Sequence, residues 1–181
     1  MKITKIEAVY PSYKTSLAGW RPNLWQIIIK IHTDKNEVHG FGTGGGGKAS
    51  IEIINGHLSN FLINKDINNL SDITNLFDKL FFESIPYGRA GIALMAISAI
   101  DLAIWDAYSK YYESPIKNLL NDQKNHKKNI RTYATGNNVS EYYSLGLQDF
   151  KLSIKSKDDF NNESKELINL KSKKQKKINL A

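Results

Sequence analysis

No cysteine occurs among the 181 residues. That excludes a disulfide framework, a thiolate metal site and a thiol nucleophile. Long hydrophobic runs are missing as well: no stretch approaches the roughly 18 apolar residues that a membrane span needs. The opening segment MKITKIEAVYP has a charge every few residues and no apolar core, so it does not read as a signal peptide. The four histidines, His32, His39, His57 and His126, form no HxxxH or HxH pair, which leaves no sequence case for zinc. Neither a GxSxG motif nor an assignable Ser/His/Asp set is present. These absences lead to the expectation of a soluble protein of a reducing compartment, the cytoplasm, with no membrane partner.

What is present is an ordinary globular composition, 41% hydrophobic and 24% charged, with a formal net charge of +7. The excess is local. Residues 151–181 carry nine Lys against four acids, whereas the first 150 residues are close to neutral. A basic tail can hold nucleic acid electrostatically. This one has a single aromatic, Phe160, so it reads as the solvated face of a helix, and no nucleic-acid partner is expected.

Residues 2–10 alternate as a strand, with Ile3 and Ile6 to Val9 supplying buried positions. Leu24 to Thr33 is β-branched and apolar, Asp34-Lys35-Asn36 makes a turn, and Val38 to Thr43 returns. The expected result is a three-stranded antiparallel meander with one face to cover. Helical spacing appears over Lys48–Ile63, over a segment capped by Ser71 and ending at Phe82, and over Ala90–Tyr112. The last of these carries a stripe of Met95, Ala96, Ala99, Ile100, Ala103, Ile104 and Ala107, whose small residues let neighbours approach closely. Strands followed by helices predict an α+β domain.

Beyond Pro115 the pattern changes. Ile130–Thr135 and Phe150–Ile154 read as strands, Val139–Leu145 and Phe160–Ile178 as helices. This β-α-β-α order belongs to a parallel sheet or barrel. A complete barrel takes about 250 residues, so two such units predict a barrel cut short. The expected division is 1–125 and 126–181.

Two motifs invite chemistry. Gly42 to Ala49 (GTGGGGKA) fits part of a phosphate-binding loop, but Ala49 stands where a Mg²⁺-ligating hydroxyl is required. The preceding strand also lies in a hairpin rather than a βαβ unit, so the segment reads as a loop that lets backbone approach a ligand or a neighbouring domain. Asp101 and Asp106 could pass for a catalytic pair, yet Asp101 and Trp105, one turn apart, better suit a helix-end or domain-interface anchor. Lys151 shares a strand face with Ser153. Buried there it would need an anion such as a substrate carboxylate; read alone, a surface position suits a lysine better.

The segments LWQIIIKIHTD, HGFGTGGGG, YGRAGIALMAISAIDLAIWD, SPIKNLL, RTYATG and DFKL, with the opening MKITKIEAVYP, span essentially residues 1–155. Together they resemble the N-terminal region of the enolase superfamily, mandelate racemase/muconate lactonizing branch, and YATG is most similar to its L-rhamnonate dehydratase group. The resemblance implies an α+β capping domain over a (β/α)₇β barrel, of which this chain holds the cap and the first two βα units. It implies a Mg²⁺-dependent lyase that removes the proton α to the carboxylate of a small sugar acid and expels water to give a 2-keto-3-deoxy acid. It places Lys151 at the end of the second barrel strand as the catalytic residue, and Ser153 where racemase-like members carry a second Lys, which favours a dehydratase. It makes loops 13–23 and 43–48 the specificity elements. Arg21 and Trp20 are then candidates for sugar contacts, or for packing against the barrel. The resemblance also implies that the Mg²⁺ ligands lie on later strands, so none are expected here, and that a homo-oligomer forms. The alternatives are a non-catalytic interaction or oligomerisation module, and another sugar-acid enzyme of the same branch.

Overall fold

The computed structural model describes residues 1–11, 25–88, 90–120, 129–152, 156–174 and 179–180. The chain divides into two compact units, Met1–Asp122 and Gln123–Ala181.

The first unit is built on β1 (Ile3–Val9), β2 (Ile27–Thr33) and β3 (His39–Gly44), paired antiparallel in that order. β2 alternates Ile27, Ile29, Ile31 and Thr33 inward with Ile28, Lys30 and His32 outward, the period-2 pattern of a half-buried strand. Ile31 faces Ile6 on one side and Gly40 on the other; Ile29 faces Ala8 and Gly42. β1 delivers less than its sequence suggests. Ile3 is buried, Ile6 is half-buried, and Val9 is 53% exposed, because a register shift between Ile3 and Lys5 moves the later residues off strict alternation.

The covering helices are α1 (Gly47–Gly56), α2 (Leu70–Glu83), α3 (Ile92–Tyr111) and the short α4 (Ile116–Leu120). The expected helix to Ile63 ends instead at Gly56, where a residue without a side chain favours a break. A 3₁₀ turn, Leu58–Phe61, follows, and it keeps Leu58 and Leu62 buried. α2 starts earlier than expected. Its N-cap is Asn69, whose side chain accepts from the Asp72 amide at 3.1 Å while the Asp72 carboxylate accepts from the Asn69 amide at 3.1 Å; Ser71 lies inside the first turn.

α3 buries Ala93, Ala96, Ile97, Ala99, Ile100, Ala103, Ile104, Ala107 and Tyr108. Met95, expected in this stripe, is 46% exposed: it continues the row of Ala107, Ala103 and Ala99 to the point where β3 ends at Gly44, so little of the strand remains to cover its side chain. By length and composition α3 would suffice to cross a membrane, contrary to the sequence expectation, but half of it is buried in this unit. The alanines serve close packing. A Cβ on Gly40 or Gly42 would overlap the carbonyl oxygens of Ala103 and Ala99, and one on Gly44 would lie 2.5 Å from the Met95 oxygen. The glycine run is therefore mostly not a loop. Gly42 and Gly44 belong to β3, only Gly45 and Gly46 form the bend, and Gly47 opens α1.

The second unit places β4 (Ala134–Thr135), β5 (Asp149–Lys151) and β6 (Asn179–Leu180) in one parallel sheet, ordered β4-β5-β6, with α5 (Val139–Ser144) and α6 (Lys157–Lys174) as connections. The strands are shorter than the sequence suggested. The stretch 130–133 does not pair, and helix α6 starts before Phe160. The sequence pattern shows no strand after the helix predicted over Phe160–Ile178, yet residues 179–180 form β6 and pair with β5. The parallel β-α-β-α grammar itself is present.

Candidate functional site

β5 is the middle strand of the parallel sheet, and its three residues divide cleanly between two faces. Phe150 is fully buried against Val139 of α5, with Ala134, Tyr142, Tyr143, Leu147 and Leu152 packed around the pair. Alternation along the strand then sends Lys151 to the opposite face, where it is exposed. Thr135 stands beside it in register on β4 and is exposed too.

The two strand ends are tied together. The Gly136 amide donates to the Lys151 carbonyl at 3.0 Å. Gly136 has φ 141°, and a Cβ there would come within 2.5 Å of the Tyr142 hydroxyl, so the turn leaving β4 requires glycine. On the other flank Arg131 grips Asp149 with a two-pronged pair, Nε to Oδ2 at 2.5 Å and Nη2 to Oδ1 at 2.6 Å. Lys151 thus sits at the carboxyl end of a central parallel strand, the position where open α/β sheets and barrels bind ligands.

Of the other residues singled out in the sequence, Trp20 and Arg21 lie outside the described residues, as do Ser153 and Lys155. Asp106 is an anchor rather than a catalytic acid. Its Oδ2 accepts from the Phe41 amide at 2.8 Å and pairs with Lys110 Nζ at 2.5 Å, while the same Nζ donates to the His39 carbonyl at 3.0 Å. Together Asp106 and Lys110 satisfy backbone groups on the free edge of β3. Asp101 is half-buried, and burial raises its carboxyl above the usual range.

Among the described residues no group of three His, Asp or Glu side chains stands ready to hold a metal ion. Many of the acids are committed elsewhere: Glu7 to Lys5, Asp72 to its capping box, Glu83 to Lys79, Asp106 to Lys110 and Asp149 to Arg131. The donor set described here does not fit a catalytic Mg²⁺. The neighbours that sequence reasoning missed are Thr135 and Arg131. Pairing register, which a sequence does not state, brings Thr135 beside Lys151, and the fold brings Arg131 to Asp149 on the same strand.

Comparison with known proteins gives a consistent result. The family model described as mandelate racemase/muconate lactonizing enzyme, N-terminal domain, matches residues 20–121. A protein of Caldivirga maquilingensis provisionally named L-rhamnonate dehydratase is 35% identical over 148 residues, covering 81% of this chain and 36% of that protein. The crystal structure of L-rhamnonate dehydratase from Gibberella zeae superimposes with a TM-score of 0.70 at 20% identity, over 94% of this chain and 48% of that one. The same fungus's rhamnonate dehydratase complexed with Mg gives a TM-score of 0.65 at 25% identity, over 77% and 34% respectively. The chain therefore spans between about a third and a half of the length of these three matches.

Proposed function

Because this chain belongs to the mandelate racemase/muconate lactonizing enzyme family of the enolase superfamily, we propose that it forms part of a sugar-acid dehydratase acting on an aldonate like L-rhamnonate. The reaction removes the proton α to the carboxylate and eliminates the β-hydroxyl as water, leaving a 2-keto-3-deoxy acid. In this reading residues 1–125 form the capping domain, and β4, β5 and β6 are the opening strands of a (β/α)₇β barrel.

The observation that carries the proposal is the placement of Lys151 at the carboxyl end of β5, on the face opposite buried Phe150. An ammonium there meets a substrate carboxylate directly, and its Nζ can hold or pass the proton in flight. Arg21 and Trp20 would contact the sugar hydroxyls from the capping domain. Mg²⁺ would supply charge stabilisation in the family chemistry. The described residues of this chain offer it no ligand set.

We further propose a soluble, cytoplasmic protein that self-associates. Support for self-association comes from the apolar side chains of α3 left outward, Leu94, Met95 and Leu102, each at least 39% exposed.

The test is turnover in a chimera joining residues 1–181 to the remainder of the Caldivirga protein. L-rhamnonate should give a 2-keto-3-deoxy acid, and Lys151→Ala should lower kcat by at least about 100-fold with unchanged thermal unfolding. A folded chimera whose turnover survives Lys151→Ala would remove Lys151 from the chemistry.

A further inference from the structure

The outer face of the β1-β2-β3 sheet carries a cluster that the proposed site does not use. His32 on β2 and His39 on β3 stand directly opposite each other, and their rings meet edge to face with centroids 4.7 Å apart. His32 Nε2 and His39 Nδ1 are both shut off from solvent, and neither has a hydrogen-bond partner. Burying polar nitrogens without partners is costly, and more so once a ring is charged.

The surrounding charges are unequal. From β1, Glu7 brings Oε1 to 3.3 Å from His32 Nε2, close enough for an ion pair when His32 is protonated, but Glu7 is already paired with Lys5. β2 adds Lys30, which lies 5.8 Å from the Phe41 ring centroid. From α3 come Lys110, 5.1 Å from the same ring, and Asp106, already committed to Lys110 and the Phe41 amide. His39 therefore has cations close by and no counterion of its own. Burial first, then Lys30, His32 and Lys110, push its pKa below the ordinary histidine value, with Glu7 only partly opposing.

The position matters because β3 is an edge strand. Lys110 Nζ holds the His39 carbonyl itself, and the Asp106–Lys110 pair holds the next amide, that of Phe41. A positive charge on the His39 ring repels the same ammonium that ties down its backbone. We propose that His39, packed against His32, forms a proton-operated latch: with the His39 ring neutral β3 stays fastened to α3, and protonation of His39 releases this edge.

The direction follows from linkage. A histidine whose folded pKa is depressed takes up its proton first in the opened state. The closed latch is therefore undiminished above the ordinary value of about 6.5 and weakens as pH falls through it toward the folded value.

The test is an NMR titration of the histidine rings in the full chain, with amide exchange followed in parallel as protection factors. His39 should titrate below about 6.5, and Phe41 protection should fall at least tenfold over the same range while Ile29, in the sheet centre, stays protected. His39→Gln should flatten the Phe41 response. His32→Gln, which keeps the His39 ring, should move its titration upward. The proposal is overturned if His39 titrates at or above the ordinary value, if Phe41 protection does not change, or if Phe41 and Ile29 lose protection together.

Discussion

The backbone of Gly40 on β3 lies so close to the Ala103 carbonyl on α3 that a Cβ there would overlap it, and would come 2.7 Å from the Ala107 Cβ as well. Strand and helix pack backbone to backbone, with Gly40, Gly42 and Gly44 facing Ala107, Ala103 and Ala99. Gly40→Ala should therefore destabilise the first unit by about 3 kcal/mol or more, since neither backbone can yield cheaply. Gly56→Ala is the control. It sits at the end of α1 with nothing within 4 Å, and should stabilise by about 0.5–1 kcal/mol. Urea denaturation of the two variants measures both; equal effects would contradict the close-packing account.

The start of α2 makes a second separation. Asn69→Ala removes a side chain that satisfies the Asp72 amide, and should cost about 1 kcal/mol. Ser71→Ala should be near neutral, because Ser71 caps nothing. Thermal unfolding of both, side by side, decides which residue opens the helix.

The contrast between Asn69 and Ser71 illustrates what a sequence discloses. Both are good caps, and only the reciprocal Asp72 bond selects between them. β2 and α3 were legible because β-branched alternation and a 3.6-residue stripe each persist over several turns or repeats. The glycine run was misread as a loop. Glycine contributes no side-chain periodicity, so its role in β3 emerges only from what lies against it. β4 is the last two residues of the strand read over Ile130–Thr135, β6, at two residues, falls below any pattern length, and their pairing with β5 is a tertiary fact. At the candidate site the residue type and position of Lys151 were readable, whereas Thr135 and the Arg131–Asp149 clamp were not, because register is invisible in one strand alone.

Asp101 supplies a pH prediction. Burial raises its folded pKa above the unfolded value, so its contribution to stability is fully present below about 3.9 and is lost as pH rises through the folded value. Asp101→Asn should therefore gain stability relative to the parent at neutral pH and show no gain at pH 3. Melting temperatures at the two pH values test the sign; a parent more stable than Asp101→Asn at neutral pH would mean that the carboxylate is paired.

Metal binding offers a direct contrast with the Mg-complexed fungal relative. With no fitting donor set among the described residues, calorimetric titration of the 181-residue chain with MgCl₂ should give no stoichiometric heat. Tight one-to-one uptake would refute the reading of its acids as structural.

The most direct measurement is titration of the amide-labelled chain with L-rhamnonate, using L-rhamnose as a control that lacks the carboxylate. The account predicts saturable shifts centred on Thr135, Gly136 and Lys151 for the acid alone, and their loss in Lys151→Ala. Shifts that survive Lys151→Ala, identical responses to acid and sugar, or none at all would contradict a carboxylate site at the end of β5.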